Sequence, residues 1–105
     1  MNTVIRDWYI VSIFDCKYLI GQVLWGYVVD DSSCRYLKGD FICTSKITRI
    51  NSSNELITTQ TGSLYQVIER GRRAELSYDE FELLRNGFSP DQIKALRITS
   101  TLKIH

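Results

Sequence analysis

The sequence contains one histidine, one proline and three cysteines, and no apolar run approaches the roughly 18 residues of a membrane-spanning helix. His105 is the last residue of the sequence, where chains are usually frayed, so we expect no histidine-dependent catalytic triad. Cys16, Cys34 and Cys43 are odd in number and form no CxxC pair, which predicts neither a disulfide framework nor a zinc site. We therefore expect a protein without metal or cofactor and, most simply, one that is not an enzyme.

Neither sign of charge is in excess, because 13 Lys and Arg face 12 Asp and Glu and leave a net charge of +1. Proteins that bind duplex DNA normally carry a basic footprint, so this balance favours a protein or small-molecule partner over nucleic acid. Residues 1–7 lack the basic start, the long apolar core and the cleavage site of a signal peptide. We expect a cytoplasmic protein that does not associate with membranes, and the sequence leaves its oligomeric state open.

A chain of 105 residues predicts one domain spanning 1–105. Segments rich in β-branched and aromatic residues indicate five strands. They are 8–14, 19–29, 41–50, 56–61 and 64–68. Gly21 and Gly26 interrupt the second strand, as at a bulge or a sharp bend. Short strands joined by tight turns favour a curled antiparallel sheet, for which an SH3-like barrel is one solution, because closure removes exposed edges.

Helix signals follow the strands. Ser77 and Glu80 have the spacing of a capping box, and Gly87 is placed to end the first helix. Pro90 stands at the first position of a second helix. Residues 98–104 alternate with period two and predict a last strand. The predicted fold class is α+β, with an antiparallel sheet of five to six strands and two short helices before the last strand.

Acidic residues gather at two places, and both admit a structural and a functional interpretation. Glu75, Asp79, Glu80 and Glu82 surround the start of the first helix, where the helix dipole favours negative charge. An acidic pair follows the second strand, where it can cap a turn. In the functional interpretation, both groups and one tyrosine contact a protein partner. The candidate contact residues are Asp30, Asp31, Glu75, Tyr78, Asp79, Glu80 and Glu82.

An alternative function comes from the one basic cluster, Arg70, Arg72 and Arg73. Arginines combined with strand aromatics are typical of proteins that bind single-stranded nucleic acid. The aromatics concerned are Trp8, Tyr9, Trp25, Tyr27 and Tyr65. The structural alternative is a solvated loop paired with neighbouring glutamates. A third class, an enzyme, would depend on Cys34 beside Arg35 or on the acidic pair that follows the second strand.

Three stretches, 25–30 (WGYVVD), 38–45 (KGDFICTS) and 58–65 (TTQTGSLY), resemble small bacterial and phage-borne proteins, some of which are similar to immunity proteins. Those proteins protect a cell from a toxin, as in contact-dependent growth inhibition. The resemblance spans about residues 25–65 and transfers no role to an individual residue. It implies stoichiometric inhibition, in which the protein covers the surface of a toxin or effector domain without turning over a substrate.

Overall fold

The computed structural model describes residues 2–32 and 35–103. The strands are β1 (Asn2–Asp15), β2 (Tyr18–Asp31), β3 (Phe41–Asn51), β4 (Leu56–Thr59), β5 (Leu64–Val67) and β6 (Arg72–Ser77), and the helices are α1 (Tyr78–Arg85) and α2 (Pro90–Lys103). The predicted fold class is confirmed: the protein is α+β, with one curled six-stranded sheet in which β1–β5 form a ring. No helix in the described part of the chain is long and apolar enough to cross a membrane.

The sheet is mixed because β1 has two parallel neighbours. Strands β1 to β5 pair antiparallel in sequence order, and residues 2–5 of β1 then pair with β5 and complete the ring. Residues 9–14 of β1 pair instead with β6. The change of partner follows a register shift between Arg6 and Tyr9, where Asp7 adopts a left-handed backbone conformation with φ 48°. This bulge turns the second half of β1 out of the ring.

Two hydrophobic cores lie on opposite faces of β1 and β2. Residues of β1–β5 fill the ring: Ile5, Leu24, Val28, Ile42, Ile57, Tyr65 and Val67. On the outer face, Leu84 of α1 and Ile93 of α2 pack with residues of the sheet. The sheet residues are Tyr9, Val11, Ile13, Val23, Trp25 and Leu76. Because both faces are buried, the two long strands are apolar at successive positions instead of alternating.

The predicted helix signals are confirmed. Ser77 Oγ accepts from the Glu80 backbone N–H at 3.2 Å, and the Ser77 N–H donates to Glu80 Oε1 at 2.9 Å. Ser89 and Gln92 form the same reciprocal pair at the start of α2. Gly87 follows α1 with φ +107°, a conformation that glycine adopts without steric cost.

Four details of the sequence-based fold are wrong, and the first is that the sheet is mixed instead of antiparallel. Strand β1 begins at Asn2, well before the predicted strand, and Arg72 and Arg73 belong to β6 instead of a loop. Residues 98–103 continue α2, so the sixth strand precedes the helices, and positions 104 and 105 lie outside the described residues. No helix-ending residue separates 98–103 from the preceding turns. Helical hydrogen bonds are satisfied locally, whereas a strand needs a partner, so the weak preference of Ile and Thr for strands is overridden.

Candidate functional site

Helix α1 begins beside the turn that joins β1 and β2. In the sheet register Ser77 lies opposite Phe14, and Phe14 lies opposite Leu19. Tyr78, the first helical residue, is 60% exposed, and Ile20 near the start of β2 is 45% exposed. Both line an open groove of about 280 Å³, whose apolar members also include Ile13, Val23 and Phe81.

Acidic side chains border this groove. A second depression of about 240 Å³ is lined by Tyr78, Asp79, Phe81, Glu82 and Arg85. Tyr78 and Phe81 line both depressions, so the apolar groove and the exposed carboxylates of α1 form one continuous surface. We refer to Ile20, Tyr78, Asp79 and Glu82 together as the α1 surface. An exposed apolar patch rimmed by charge is typical of protein-binding sites.

Glu80 has a structural role within the same helix turn. In addition to capping α1, its carboxylate accepts two 2.8 Å hydrogen bonds from the Arg97 guanidinium. These hydrogen bonds from Arg97 are the main reason that the pKa of Glu80 lies below its ordinary value. The pair links α1 to α2, so Glu80 is engaged within the protein, whereas Asp79 and Glu82 are exposed.

The remaining predicted acids lie elsewhere. Glu75 is on β6, and Asp30 and Asp31 end β2, separated from Ile20 by roughly 35 Å of extended strand. Asp31 accepts hydrogen bonds from the Thr3 hydroxyl and from the backbone N–H groups of Arg35 and Tyr36, as a turn cap does. The structure therefore brings Tyr78, Asp79 and Glu82 together but leaves the acidic pair at the far end of the strand.

The basic cluster does meet most of the predicted aromatics. Arg70 and Arg72 line a cavity of about 270 Å³. Trp8, Tyr9, Trp25 and Tyr27 also line it, together with Asp7, Ser89 and Asp91. Tyr65, in contrast, lies in the core of the ring. Arg73 does not line this cavity and lies instead beside a groove along β6.

Two of the four rings that line this cavity offer little surface for stacking. Trp25 is 1% exposed and Tyr9 8% exposed. Arg72 donates to the Tyr9 hydroxyl at 3.1 Å and pairs with the Asp91 carboxylate at 3.2 Å. Burial and the hydrogen bond to Asp91 raise the pKa of Tyr9. Polar groups of this cavity are thus bonded to one another, and the carboxylates of Asp7 and Asp91 would repel a phosphate group.

The structure describes two of the three thiols. Cys16 is exposed, and burial raises the pKa of Cys43 to about 11. Cys34 lies outside the described residues. Within residues 2–32 and 35–103, no group of three or more His, Cys, Asp or Glu is placed to hold a metal ion.

Sequence reasoning missed the apolar part of the α1 surface. Ile20 is predicted only as a strand residue, yet it is 45% exposed; beside it, near the turn, Leu19 and Tyr18 are 55% and 80% exposed. Their signal is an apolar run placed directly after a turn, where a strand projects beyond its neighbours.

Comparison of the chain with protein-family models, curated proteins and solved structures gave no significant match.

Proposed function

We propose that this protein acts by non-enzymatic binding to another protein through the α1 surface. The observation that carries the proposal is the exposure of Tyr78 and Ile20 beside an apolar groove, with Asp79 and Glu82 at its rim. Tyrosine supplies a large apolar contact at low entropic cost, and peripheral carboxylates accelerate association with a basic surface. The partner class is therefore a protein with an apolar protrusion surrounded by Lys and Arg.

More particularly, we propose that the protein is a stoichiometric inhibitor of the immunity type that covers a bacterial toxin or effector domain. This step depends on the resemblance of residues 25–65 to such proteins. It is supported by the scarcity of the side chains used in nucleophile–histidine pairs: the sequence has one histidine, and Cys43 is a poor nucleophile because of its raised pKa. In this function the protein occupies a surface and catalyses nothing.

The experiment uses the product of the gene next to that of this protein. Expressed alone in bacteria, that product should arrest growth, and coexpression of this protein should restore growth. The purified pair should titrate with 1:1 stoichiometry by calorimetry. A variant with Tyr78→Ala, Asp79→Lys and Glu82→Lys should bind at least about tenfold more weakly, since interface anchors are typically worth 2 kcal/mol or more.

The control is Arg49→Glu, which reverses one exposed charge at a β3 residue that lines neither depression. It should leave both rescue and affinity unchanged. Failure of this protein to bind or to rescue would contradict the immunity proposal. Unchanged binding by the triple variant would contradict only the assignment of the surface.

Binding of single-stranded nucleic acid is the second candidate, because Arg70 and Arg72 share a cavity with four of the predicted aromatics. Burial of the rings and the nearby carboxylates weigh against it. Titration of labelled oligonucleotides across a salt series separates the two functions. Affinity tighter than about 100 μM that falls steeply with salt would favour nucleic acid.

A further inference from the structure

Strand β6 forms an open edge of the sheet. It stands last in the strand order, and β1 is its one partner strand among the described residues. The five successive residues 72–76 all line a groove of about 570 Å³, whose other wall includes Pro90, Asp91, Lys94 and Arg97 of α2. Because successive side chains of a strand point to opposite faces, a groove lined by all five follows the backbone edge itself. Such an edge presents hydrogen-bonding groups to an incoming strand.

Two charged side chains on this edge form no hydrogen bond or ion pair with the described residues. Arg73 and Glu75 are exposed, and alternation places them on the same face of β6. Neither forms an ion pair within the part of the chain that the structure describes. Their neighbour Arg72, in contrast, is paired with Asp91.

We propose that β6 pairs antiparallel with β6 of a second copy of this chain, about a two-fold axis that passes beside Ala74. In this register Arg73 of each copy lies opposite Glu75 of the other, so the same ion pair forms twice. Arg72 lies opposite Leu76, and the small side chain of Ala74 lies at the axis. Opposite charges placed directly across two strands stabilise their pairing.

The neighbouring two-fold registers lack this complementarity. An axis beside position 73 places Arg73 opposite itself, and an axis beside position 75 does the same for Glu75. Like charges directly opposite each other destabilise strand pairing. The charge pattern of β6 therefore selects one register and one occupant, as an isologous dimer requires. This inference does not depend on the proposed function, which uses the α1 surface.

The test measures association of the full-length chain by sedimentation velocity over a concentration series extending into the high micromolar range. We expect a monomer–dimer equilibrium. Arg73→Glu or Glu75→Arg alone should raise the dimer dissociation constant about tenfold or more, because each substitution converts two attractive pairs into two repulsive ones. The double variant Arg73→Glu/Glu75→Arg should restore the affinity to within a few-fold of the original, since opposite charges again face each other.

Arg49→Glu on β3 is the control for a change in net charge, and it should leave the equilibrium unchanged. Circular dichroism and thermal unfolding establish that each variant is folded. Amide hydrogen exchange of residues 72–76 should slow as concentration rises. A chain that stays monomeric throughout the series would overturn the proposal. Failure of the double variant to recover would overturn the register.

Discussion

The Tyr9 hydroxyl donates a 2.8 Å hydrogen bond to Asp91 Oδ2 and so joins strand β1 to the first turn of helix α2. Arg72 donates to both partners and lies 5.6 Å from the centre of the Tyr9 ring. One hydrogen-bonded junction thus joins Tyr9 of β1, Arg72 of the edge strand β6 and Asp91 of α2. This junction fixes where α2 starts relative to β1.

Replacing Tyr9 with phenylalanine should lower the free energy of unfolding by about 1 kcal/mol, because the ring still packs while a hydrogen bond to a carboxylate is lost. Denaturant unfolding measures the change. Tyr18→Phe is the control, since Tyr18 is 80% exposed and forms no hydrogen bond through its hydroxyl with the described residues. Equal losses in the two variants would contradict a stabilising role for the Tyr9–Asp91 bond.

Gly71 is required by the position of Trp8. A Cβ atom at residue 71 would lie 2.4 Å from the Trp8 ring, whose Nε1 donates to the Ile68 carbonyl at 2.9 Å. Gly71→Ala should therefore displace the indole and lower the free energy of unfolding by about 1–3 kcal/mol. Denaturant unfolding gives the loss of stability, and tryptophan fluorescence of the folded state reports the displaced ring.

Gly39→Ala is the comparison for Gly71→Ala. Apart from Gly39 and its chain neighbours, no described residue lies within 4 Å of the added carbon, but φ is +93°, so the cost of about 1 kcal/mol arises from the backbone alone. Its fluorescence should match that of the original protein. A spectrum unchanged by Gly71→Ala would contradict the packing of Trp8 on Gly71.

The Glu80–Arg97 pair makes stability depend on pH in one direction. Because hydrogen bonds from Arg97 lower the pKa of Glu80 in the folded state, the stabilisation is complete above the ordinary carboxyl range. It disappears as the pH falls through the lowered pKa. Glu80→Gln keeps a capping side chain but removes the charge, so it should cost about 0.5–1 kcal/mol at neutral pH and less in acid.

Unfolding free energies of the two proteins, measured at neutral and at acidic pH, test this prediction. Glu82→Gln on the same helix should have little effect at either pH, because Glu82 is exposed and forms no ion pair among the described residues. A Glu80→Gln deficit that stayed constant with pH would show that the pair contributes nothing through its charge.

Alkylation should distinguish the two thiols that the structure describes. The pKa of Cys43 is raised from 9.0 to about 11 by burial, and its side chain is half-buried, whereas Cys16 is exposed. Iodoacetamide at neutral pH should modify Cys16 at least about tenfold faster than Cys43, because the thiolate is the reacting form. Peptide mass spectrometry over time gives both rates, and in denaturant the difference should vanish. Similar rates in the folded protein would contradict the burial of Cys43.

Local signals in the sequence predicted local structure well. The Ser77–Glu80 capping box and the Gly87 terminus act within one or two turns, so both are readable from spacing. The predicted strand at 98–104 failed because alternation alone does not tell a strand from the last turns of a helix. The pairing of β1 with β5 and β6 joins residues more than sixty positions apart, as in Asn2 with Leu64 and Tyr9 with Arg72. No short-range pattern encodes such a pairing.

The candidate site shows the same difference between local properties, which spacing predicts, and tertiary properties, which it does not. Tyr78, Asp79 and Glu82 share one helix, so their proximity follows from sequence. Whether Glu80 faces solvent or Arg97 depends on how α1 packs against α2. The exposure of Ile20 likewise depends on how far the β1–β2 hairpin extends beyond the strands beside it. These are tertiary properties that composition and spacing do not specify.

Strand β1 contributes Ile5 to the interior of the ring and Val11 to the layer beneath the helices, both fully buried. The two interiors therefore share one segment of chain, and neither can be completed while that segment is detached. Detachment of β1 would open both to water at the same time. The molecule should consequently lose its structure in a single all-or-none step, with no half that persists alone.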